Sequence, residues 1–223
     1  MHAIESVDAP ALSQDTAWWT LYEASFPPSE QEPRSVILTS LDSGRALAVR
    51  SVDEDRSVGL GVAYLLKAIP FVFVAYLAVD ASWRKHGLGS RLLATMGDLG
   101  AERLAREGLV CQGTVMEVDD PALAGTPEER RIRERRIRFF EAQGARPLDV
   151  PYLQPAIDGE TVVPMRLMVI DRVPGTPFPA RASRDLIRAM YAEKYGPTNG
   201  IESAILEALL PSPNDAPAVR SPE

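Results

Sequence analysis

The sequence predicts an α+β protein with an antiparallel β-sheet flanked by helices, and two patterns lead to this prediction. Three successive strand-like segments cover residues 46–52, 58–66 and 71–79, and the polar turn at 53–56 joins the first two, which is typical of an antiparallel meander. From Gly89 onward the apolar residues recur at helical spacing instead. The run 71–79 is apolar almost throughout, which predicts a central strand covered on both faces.

The helices are predicted from apolar spacing and from the residues that cap or end them. Residues 16–25 place large apolar side chains at helical spacing and stop before a pair of prolines. A second helix is expected over 30–40, with Ser29 as its N-cap and Glu32 completing a capping box. The same rules predict helices over 89–108, 128–143, 181–195 and 200–210, and strands over 109–118 and 161–171, the last paired with a short strand before it.

Composition and charge restrict the classes of function. The chain has 223 residues, 45% of them hydrophobic, and a formal net charge of −7, which disfavours a uniformly basic nucleic-acid binder. Cys111 is the one cysteine and is expected to be a buried thiol; with only two histidines, neither a disulfide nor a metal site is expected. No secretory or membrane-spanning segment is recognised. The sequence therefore predicts a cytoplasmic protein that binds neither nucleic acid nor membrane.

The segment that follows the apolar run 71–79 has the features of an anion site. A turn with Arg84, Gly87 and Gly89 leads directly into a helix. The glycines let the backbone approach an anion closely, and the free N–H groups at the helix start point toward it. Alternatively, the glycines serve only the turn between strand and helix. A dinucleotide fingerprint and a P-loop are both absent from the sequence here.

This segment resembles the acetyl-CoA-binding motif of the GNAT N-acetyltransferase superfamily. That motif is written [QR]-x-x-G-x-[GA] after a hydrophobic strand, and Arg84, Gly87 and Gly89 occupy its three fixed positions. Further along, FFEAQGA at 139–145 resembles the aromatic-x-x-x-G-[FA] segment of the same family. The order of the predicted elements also agrees, and the resemblance covers about residues 18–172.

The resemblance implies a three-layer α/β arrangement with a mixed, mostly antiparallel central sheet. It implies an acetyltransferase domain over residues 1–175. Residues 176–210 are then a C-terminal helical extension, which either packs on the domain or builds a dimer contact. The tail 211–223 has no apolar pattern and is expected to be disordered.

The resemblance also implies acetyl-CoA as co-substrate and a place for it. A bulge would open a gap beside the strand 71–79, and the pantetheine arm would pair there with the backbone of Leu77, Ala78 and Val79. Phe140 would pack against the pantetheine, and a backbone N–H near Ala78 or Val79 would polarise the thioester carbonyl. Backbone amides would hold the pyrophosphate, namely those of Arg84, Lys85, His86, Gly87, Leu88, Gly89 and Ser90.

Candidates for the chemistry lie around this gap. Glu117 is predicted as the base that removes a proton from the amine; alternatively it is a strand-end carboxylate in solvent or paired with an arginine. Glu30 is predicted to bind the substrate ammonium and Tyr76 to line the acceptor pocket, although Glu30 also suits a helix first turn and Tyr76 the core. Many family members have a tyrosine acid where this chain has Phe140. The thiolate then leaves unassisted, or Tyr152 or water substitutes, or catalysis has been lost.

The resemblance favours transfer of an acetyl group to a primary amine of a small molecule or peptide by direct attack in a ternary complex. The alternative from another class is a non-catalytic acyl-CoA-binding sensor or interaction module, which Phe140 keeps open. In a third interpretation the glycine turn is structural and belongs to an unrelated α/β fold. Neither the acceptor nor the length of the acyl group is specified by the sequence.

Overall fold

The fold is built from eight strands and eight α-helices in the computed structural model, which describes residues 3–54, 56–84, 86–157, 159, 161–173, 178–179 and 182–212. In chain order the elements are β1 Ile4–Val7, α1 Ala9–Gln14, α2 Thr16–Ser25, α3 Arg34–Asp42, β2 Ala46–Asp53, β3 Arg56–Leu66, β4 Phe71–Val79, α4 Leu88–Arg106, β5 Gly113–Asp119, α5 Pro127–Glu141, β6 Arg146–Pro147, β7 Tyr152–Gln154, β8 Val163–Asp171, α6 Ser183–Met190, α7 Gly196–Asn199 and α8 Ser203–Ala208. A π-helical turn, Tyr191–Tyr195, joins α6 to α7.

The strands form one mixed sheet in the order β1-β2-β3-β4-β5-β8-β6, with β7 also pairing with β8. The pairing of β4 with β5 is parallel, and the other pairings are antiparallel. This confirms the predicted fold class. The meander β2-β3-β4 and the pairing of 161–171 with a short preceding strand are as expected.

Side chains alternate along the strands, so the sheet has an apolar surface on each face and a layer of helices on each. In β2, Ala46 and Ala48 belong to one core cluster, together with the side chains of α2, α3 and the C-terminal helices. Leu47 and Val49 belong to the other cluster, with α4 and part of α5. The result is a three-layer arrangement.

The sheet opens beside β4. The register between β3 and β4 pairs Val62 with Tyr76 but Ala63 with Val74, so Ala75 is an extra residue in β4. This is the bulge that the family resemblance implied. Strand β5 pairs with β4 only as far as Met116 opposite Val74, whereas it stays paired with β8 to its last residue. The carboxyl halves of β4 and β5 therefore diverge.

Helix α4 lies very close to β4, and glycine makes this possible. A Cβ atom on Gly100 would lie 2.4 Å from a methyl carbon of Val72. Real Cβ atoms do not approach that closely, so the helix reaches this depth only with glycine at that position. The short separation fixes the start of α4 relative to the open end of β4.

Two predicted starts are wrong by four residues each. Helix α3 begins at Arg34 rather than at residue 30, because Pro33 keeps the residue before it out of the helical region; residues Pro28–Glu30 form a separate 3₁₀ turn. Strand β5 begins at Gly113 rather than at residue 109. Leu109 is used in closing α4, donating its N–H to the carbonyl of Leu104 as in a Schellman motif.

The C-terminal helices share a core with α2. The side chains of Leu186, Ile187, Met190 and Tyr195 are fully buried in the cluster that contains Trp18. The described part of the first C-terminal helix begins at Ser183, and residues 213–223 of the predicted tail lie outside the described residues. Within the part of the chain described, no helix is both long and apolar enough to cross a bilayer.

Candidate active site

A cavity of about 280 Å³ lies in the gap between β4 and β5. Six consecutive residues of β4, from Val74 to Val79, line it. Because side chains alternate between the two faces of a strand, the feature that the last five of these residues share is the backbone edge of β4 that is unpaired with β5. The remaining lining comes from four parts of the fold: Ser25, Phe26 and Glu30 before α3; Met116 and Glu117 of β5; Arg84, Arg136 and Phe140 at the helices; and Gln154, Ile157, Met165, Lys194 and Tyr195.

The predicted anion turn lies at one end of this cavity. Helix α4 starts immediately after Gly87, which has a positive φ of 72°, and its first turn contains no acidic residue. The N–H groups of the first helical residues have no partner within the helix, so they are available to an anion. Arg84 lines the cavity and donates from Nε to the carbonyl oxygen of Val79 at 3.2 Å.

The other members of the predicted pyrophosphate set differ in burial. His86 is exposed, and its Nδ1 lies 3.4 Å from the carbonyl oxygen of Trp83. The side chain of Leu88 is buried in the core, so only its backbone can serve a ligand. Ser90 is half-buried in the first turn of α4. Lys85 lies outside the described residues.

Glu117 lies at the centre of a hydrogen-bond cluster on the β5 side of the cavity. Its Oε1 accepts from the hydroxyl groups of Tyr195, at 2.6 Å, and Tyr152. Its Oε2 accepts from Nε2 of Gln154 at 2.8 Å. Burial raises the pKa of both tyrosines well above its usual range, and the charge of Glu117 raises it further. Both phenols therefore keep their protons and act as donors to the carboxylate.

Neither alternative for Glu117 describes its surroundings. Its partners are two phenols and an amide rather than an arginine, and it borders a cavity rather than an open face. Asp119, two residues along the same strand, is the carboxylate that pairs with Arg136. Glu117 is thus oriented by its neighbours toward a space that a ligand can fill.

Glu30 and Tyr76 meet on the opposite side of the cavity. The hydroxyl of Tyr76 donates to the carbonyl oxygen of Glu30 at 2.8 Å and accepts from the N–H of Glu32 at 3.1 Å. Tyr76 is 4% exposed and also lines the cavity, so it is both a core residue and a wall residue. Glu30 lies four residues before α3, so the charge preference of that helix start does not explain it.

The electrostatic surroundings of Glu30 disfavour its ionised form. Burial raises the pKa of this carboxyl, and the charges of Asp119 and Glu117 raise it further. Arg136 and Arg133 oppose the shift. The carboxylates of Glu30 and Glu117 both line the cavity, and a cationic ligand there would relieve their repulsion.

Phe140 lines the cavity and is 6% exposed, with its ring against that of Phe139. A phenyl ring has no proton to donate. Tyr152 is buried behind the hydrogen bond to Glu117 and does not line the cavity as the described residues define it. A direct role for Tyr152 as a substitute acid therefore has no geometric support.

Several residues at this site were not predicted from the sequence. Lys194 and Tyr195 come from the π-helical turn, and Gln154 comes from β7. Glu32 is fully buried and pairs with Lys194 at 2.9 Å. These residues are far apart along the chain, from Glu32 to Tyr195, and no local spacing in the sequence links them. A cluster of three or more metal-ligating side chains is absent from the described residues.

Comparison with known proteins supports the same fold. Residues 15–124 match the model of the acetyltransferase (GNAT) family. A GNAT-family protein from Bacteroides thetaiotaomicron is 21% identical, covers 90% of this chain and 99% of its own, and superposes with a TM-score of 0.63. The comparison with curated protein sequences found no significant match.

Two other solved structures give TM-scores of 0.57. One is an aminoglycoside 6′-N-acetyltransferase complexed with coenzyme A, 20% identical over 78% of this chain and 99% of that chain. The other is NAA60 from Arabidopsis thaliana with a bisubstrate analogue, 15% identical over 79% of this chain and 100% of that chain. These likenesses concern the fold. Together with the family match over residues 15–124, they confirm the resemblance seen in the sequence: the chain carries a GNAT acetyltransferase domain over that range.

Proposed function

We propose that this protein transfers an acetyl group from acetyl-CoA to a primary amine by direct attack within a ternary complex. The observation that carries the proposal is the gap between β4 and β5, with the start of α4 at one end and two glutamates beside it. The gap suits an extended ligand because the edge of β4 beyond Val74 is unpaired with β5. The bound coenzyme A of one solved relative is consistent with this ligand.

The chain's residues divide the work of binding between them. The free edge of β4 at Leu77, Ala78 and Val79 pairs with the pantetheine amides. The N–H groups from Arg84 to Ser90 hold the pyrophosphate, with Arg84 and the helix dipole adding positive charge. Phe140 packs against the thioester arm. An acidic protein binds an anionic cofactor in this way because the attraction is local.

The chemical step then needs one base and good positioning. Glu30 attracts the ammonium group of the acceptor, and Glu117 removes a proton, directly or through one water. The nitrogen lone pair attacks the thioester carbon, the C–S bond breaks to release the thiolate, and the nitrogen gives its second proton to water, which leaves a neutral N-acetyl amide. A backbone N–H at Ala78 or Val79 stabilises the oxyanion. The thiolate leaves without an acid because Phe140 cannot supply one. Since a thiol has a pKa of about 8.5, the thiolate is a weak base and a good leaving group.

The test measures free thiol released from acetyl-CoA with a panel of primary amines, including polyamines, amino sugars and peptide N-termini. Wild type is expected to release thiol with at least one amine and to yield the N-acetyl product by mass spectrometry. Glu117→Gln is expected to lower kcat/KM for that amine by about 100-fold or more, because it removes a general base. Glu128→Gln, an exposed glutamate of α5, is the matched control and is expected to leave it unchanged.

Phe140 supports a second candidate, a module that binds acyl-CoA without turnover. Isothermal titration separates the two functions. Tight binding of acetyl-CoA with no thiol release across the amine panel favours the module, and turnover excludes it. If no CoA species binds at all, both candidates fall.

A further inference from the structure

The C-terminal extension contributes to the cavity through a local irregularity. Helix α6 passes into the π-helical turn Tyr191–Tyr195 before α7 continues. A π-helical turn holds one residue more than an α-helical turn and changes the direction of the side chains that follow; such turns are frequent at functional sites. Here two consecutive residues, Lys194 and Tyr195, both line the cavity.

Tyr195 and Tyr152 occupy the same oxygen of Glu117. Both hydroxyl groups donate to Oε1, whereas among the described residues Oε2 receives one donor, Gln154. A carboxylate has about four lone-pair positions, two on each oxygen. The two phenols therefore fill Oε1 and leave a lone pair on Oε2, which is the oxygen that remains free for a ligand's proton.

The ring of Tyr195 is held by a buried ion pair. Nζ of Lys194 lies 3.6 Å from the centroid of the Tyr195 ring and 2.9 Å from Oε1 of Glu32. Glu32 also accepts from the hydroxyl of Tyr64 at 2.7 Å, and Asn199 contacts both members of the pair. Lys194 and Glu32 are 2% exposed each, and nothing in the acetyl-transfer step uses them.

A buried ion pair is weak evidence for stability, since desolvation offsets much of the attraction. The ion pair does fix the position of Lys194 relative to Glu32, because each buried charge must stay close to the other. This pair joins the segment before α3, which also carries Glu30, to the π-helical turn that carries Tyr195. It therefore links the two sides of the cavity where the proposed acceptor binds.

We propose that Tyr195 is a positioning residue for Glu117, and that the Glu32–Lys194 ion pair holds Tyr195 in place so that Oε2 of Glu117 receives the acceptor's proton. The inference rests on the proposed acetyl transfer and extends it to the C-terminal extension. The extension is then part of the active site.

The first test compares Tyr195→Phe with Tyr191→Phe. Both remove one buried hydroxyl from the same turn, but Tyr191 donates to the backbone oxygen of Leu153 at 2.5 Å instead of to Glu117. Tyr195→Phe is expected to lower kcat/KM for the amine about tenfold or more and to move the acidic limb of its pH profile to higher pH, because the carboxylate loses a donor. The acetyl-CoA dissociation constant is expected to stay within twofold, and Tyr191→Phe to retain the wild-type profile.

The second test uses Lys194→Met, which leaves the carboxylate of Glu32 buried without its ion-pair partner. If this single variant does not fold, the double variant Glu32→Gln/Lys194→Met replaces it, because it has no unpaired carboxylate. A cooperative thermal transition shows which of these variants folds. The folded variant is expected to show the same decrease in kcat/KM, and the same displacement of the acidic limb of the pH profile, as Tyr195→Phe. Combining it with Tyr195→Phe is expected to add less than threefold, since both act through one contact.

The outcomes separate the two proposals. If wild type releases no thiol with any amine, the proposed function fails and this inference fails with it. If wild type acetylates an amine and Tyr195→Phe matches wild type in both kcat/KM and pH profile, only the positioning role is overturned. Equal losses in Tyr195→Phe and Tyr191→Phe would also overturn it, because they would show a general loss of packing.

Discussion

Phe140 shows how one side chain limits the chemistry available at this site. It fills the wall of the cavity beside β4 with an apolar ring and offers no proton. Under the proposed function the departing thiolate is stabilised by solvent and by its own low basicity. Residues on the amine side then carry the acid–base work, which directs attention to Glu30 and Glu117.

Glu30→Gln is expected to raise the thermal midpoint at pH 7 and to leave it nearly unchanged at pH 4. Burial and the neighbouring charges of Asp119 and Glu117 raise the pKa of Glu30 in the folded protein. The folded state therefore binds more protons than the unfolded state between the two pKa values, and stability falls as pH rises through that interval. Removing the ionisable group removes this loss.

Thermal unfolding of both proteins from pH 4 to pH 8 measures the effect. A midpoint difference that does not change with pH would contradict the argument. In the acetyl-transfer assay the same variant is expected to raise KM for the amine several-fold with little change in kcat, since Glu30 is proposed to bind the ammonium and not to take the proton.

At the scale of elements, the start of α4 combines a conformational requirement with its proposed role in binding acetyl-CoA. Gly87 has a φ of 72°, and nothing lies within 4 Å of the position its Cβ would take. A side chain there would fit the space, so the cost of adding one comes from the backbone conformation alone.

Gly87→Ala is expected to lower the free energy of unfolding by about 1 kcal/mol and to weaken acetyl-CoA binding about tenfold, because the turn that presents the amides relaxes. Gly44→Ala is a close control: Gly44 also has a φ of 72° with open space, but lies in the turn before β2. It is expected to show the same loss of stability with no change in binding, measured by denaturant unfolding and titration calorimetry. Equal binding in the two variants would contradict the proposed role of the turn.

Elements differ in how well the sequence predicts them. Strand β4 has its predicted bounds, 71–79, because an apolar run bounded by polar turns leaves little choice of register. Strand β1 and helix α1 were not predicted, since β1 has four residues and only Val7 is buried. Such a short edge strand forms because it pairs with β2, and the local sequence of β1 contains no signal for that pairing. The start of α3 was misplaced because a capping-box pattern competed with Pro33, and the proline prevailed.

The same distinction applies to the site. The glycine turn into α4 was predictable because Arg84, Gly87 and Gly89 lie within six residues of one another. Glu117 was predictable because alternation along β5 places it at the edge of the cleft. Tyr195 and Lys194 were not, because only the packing of the whole chain brings the π-helical turn to β5.

For the whole molecule, the C-terminal extension shares a core with the acetyltransferase fold. Leu186, Ile187 and Met190 are fully buried against it. Burying three such side chains contributes about 5–9 kcal/mol, which is comparable with the total stability of an ordinary domain. The boundary expected at residue 175 is therefore a boundary in sequence pattern, and the two parts share one apolar interior.

A chain ending at residue 175 is expected to lack a cooperative thermal transition and to bind hydrophobic dyes. A chain ending at residue 212 is the control and is expected to melt within about 2 °C of the full-length protein, since residues 213–223 carry no apolar pattern. Calorimetry and circular dichroism distinguish these outcomes. A truncated chain of 175 residues with a sharp transition would show that the extension is dispensable for folding.

The short parallel contact between β4 and β5 has a mechanical consequence. Among the described residues, the pairing of β4 with β5 has four residue pairs, Phe71–Val74 with Gly113–Met116, and it joins a half-sheet of four strands to the half-sheet that follows. A ligand with amide groups that binds in the gap between β4 and β5 would form hydrogen bonds to both halves of the sheet, as an added strand would. Binding of acetyl-CoA would then make the whole sheet more rigid, and release of coenzyme A would make it less rigid.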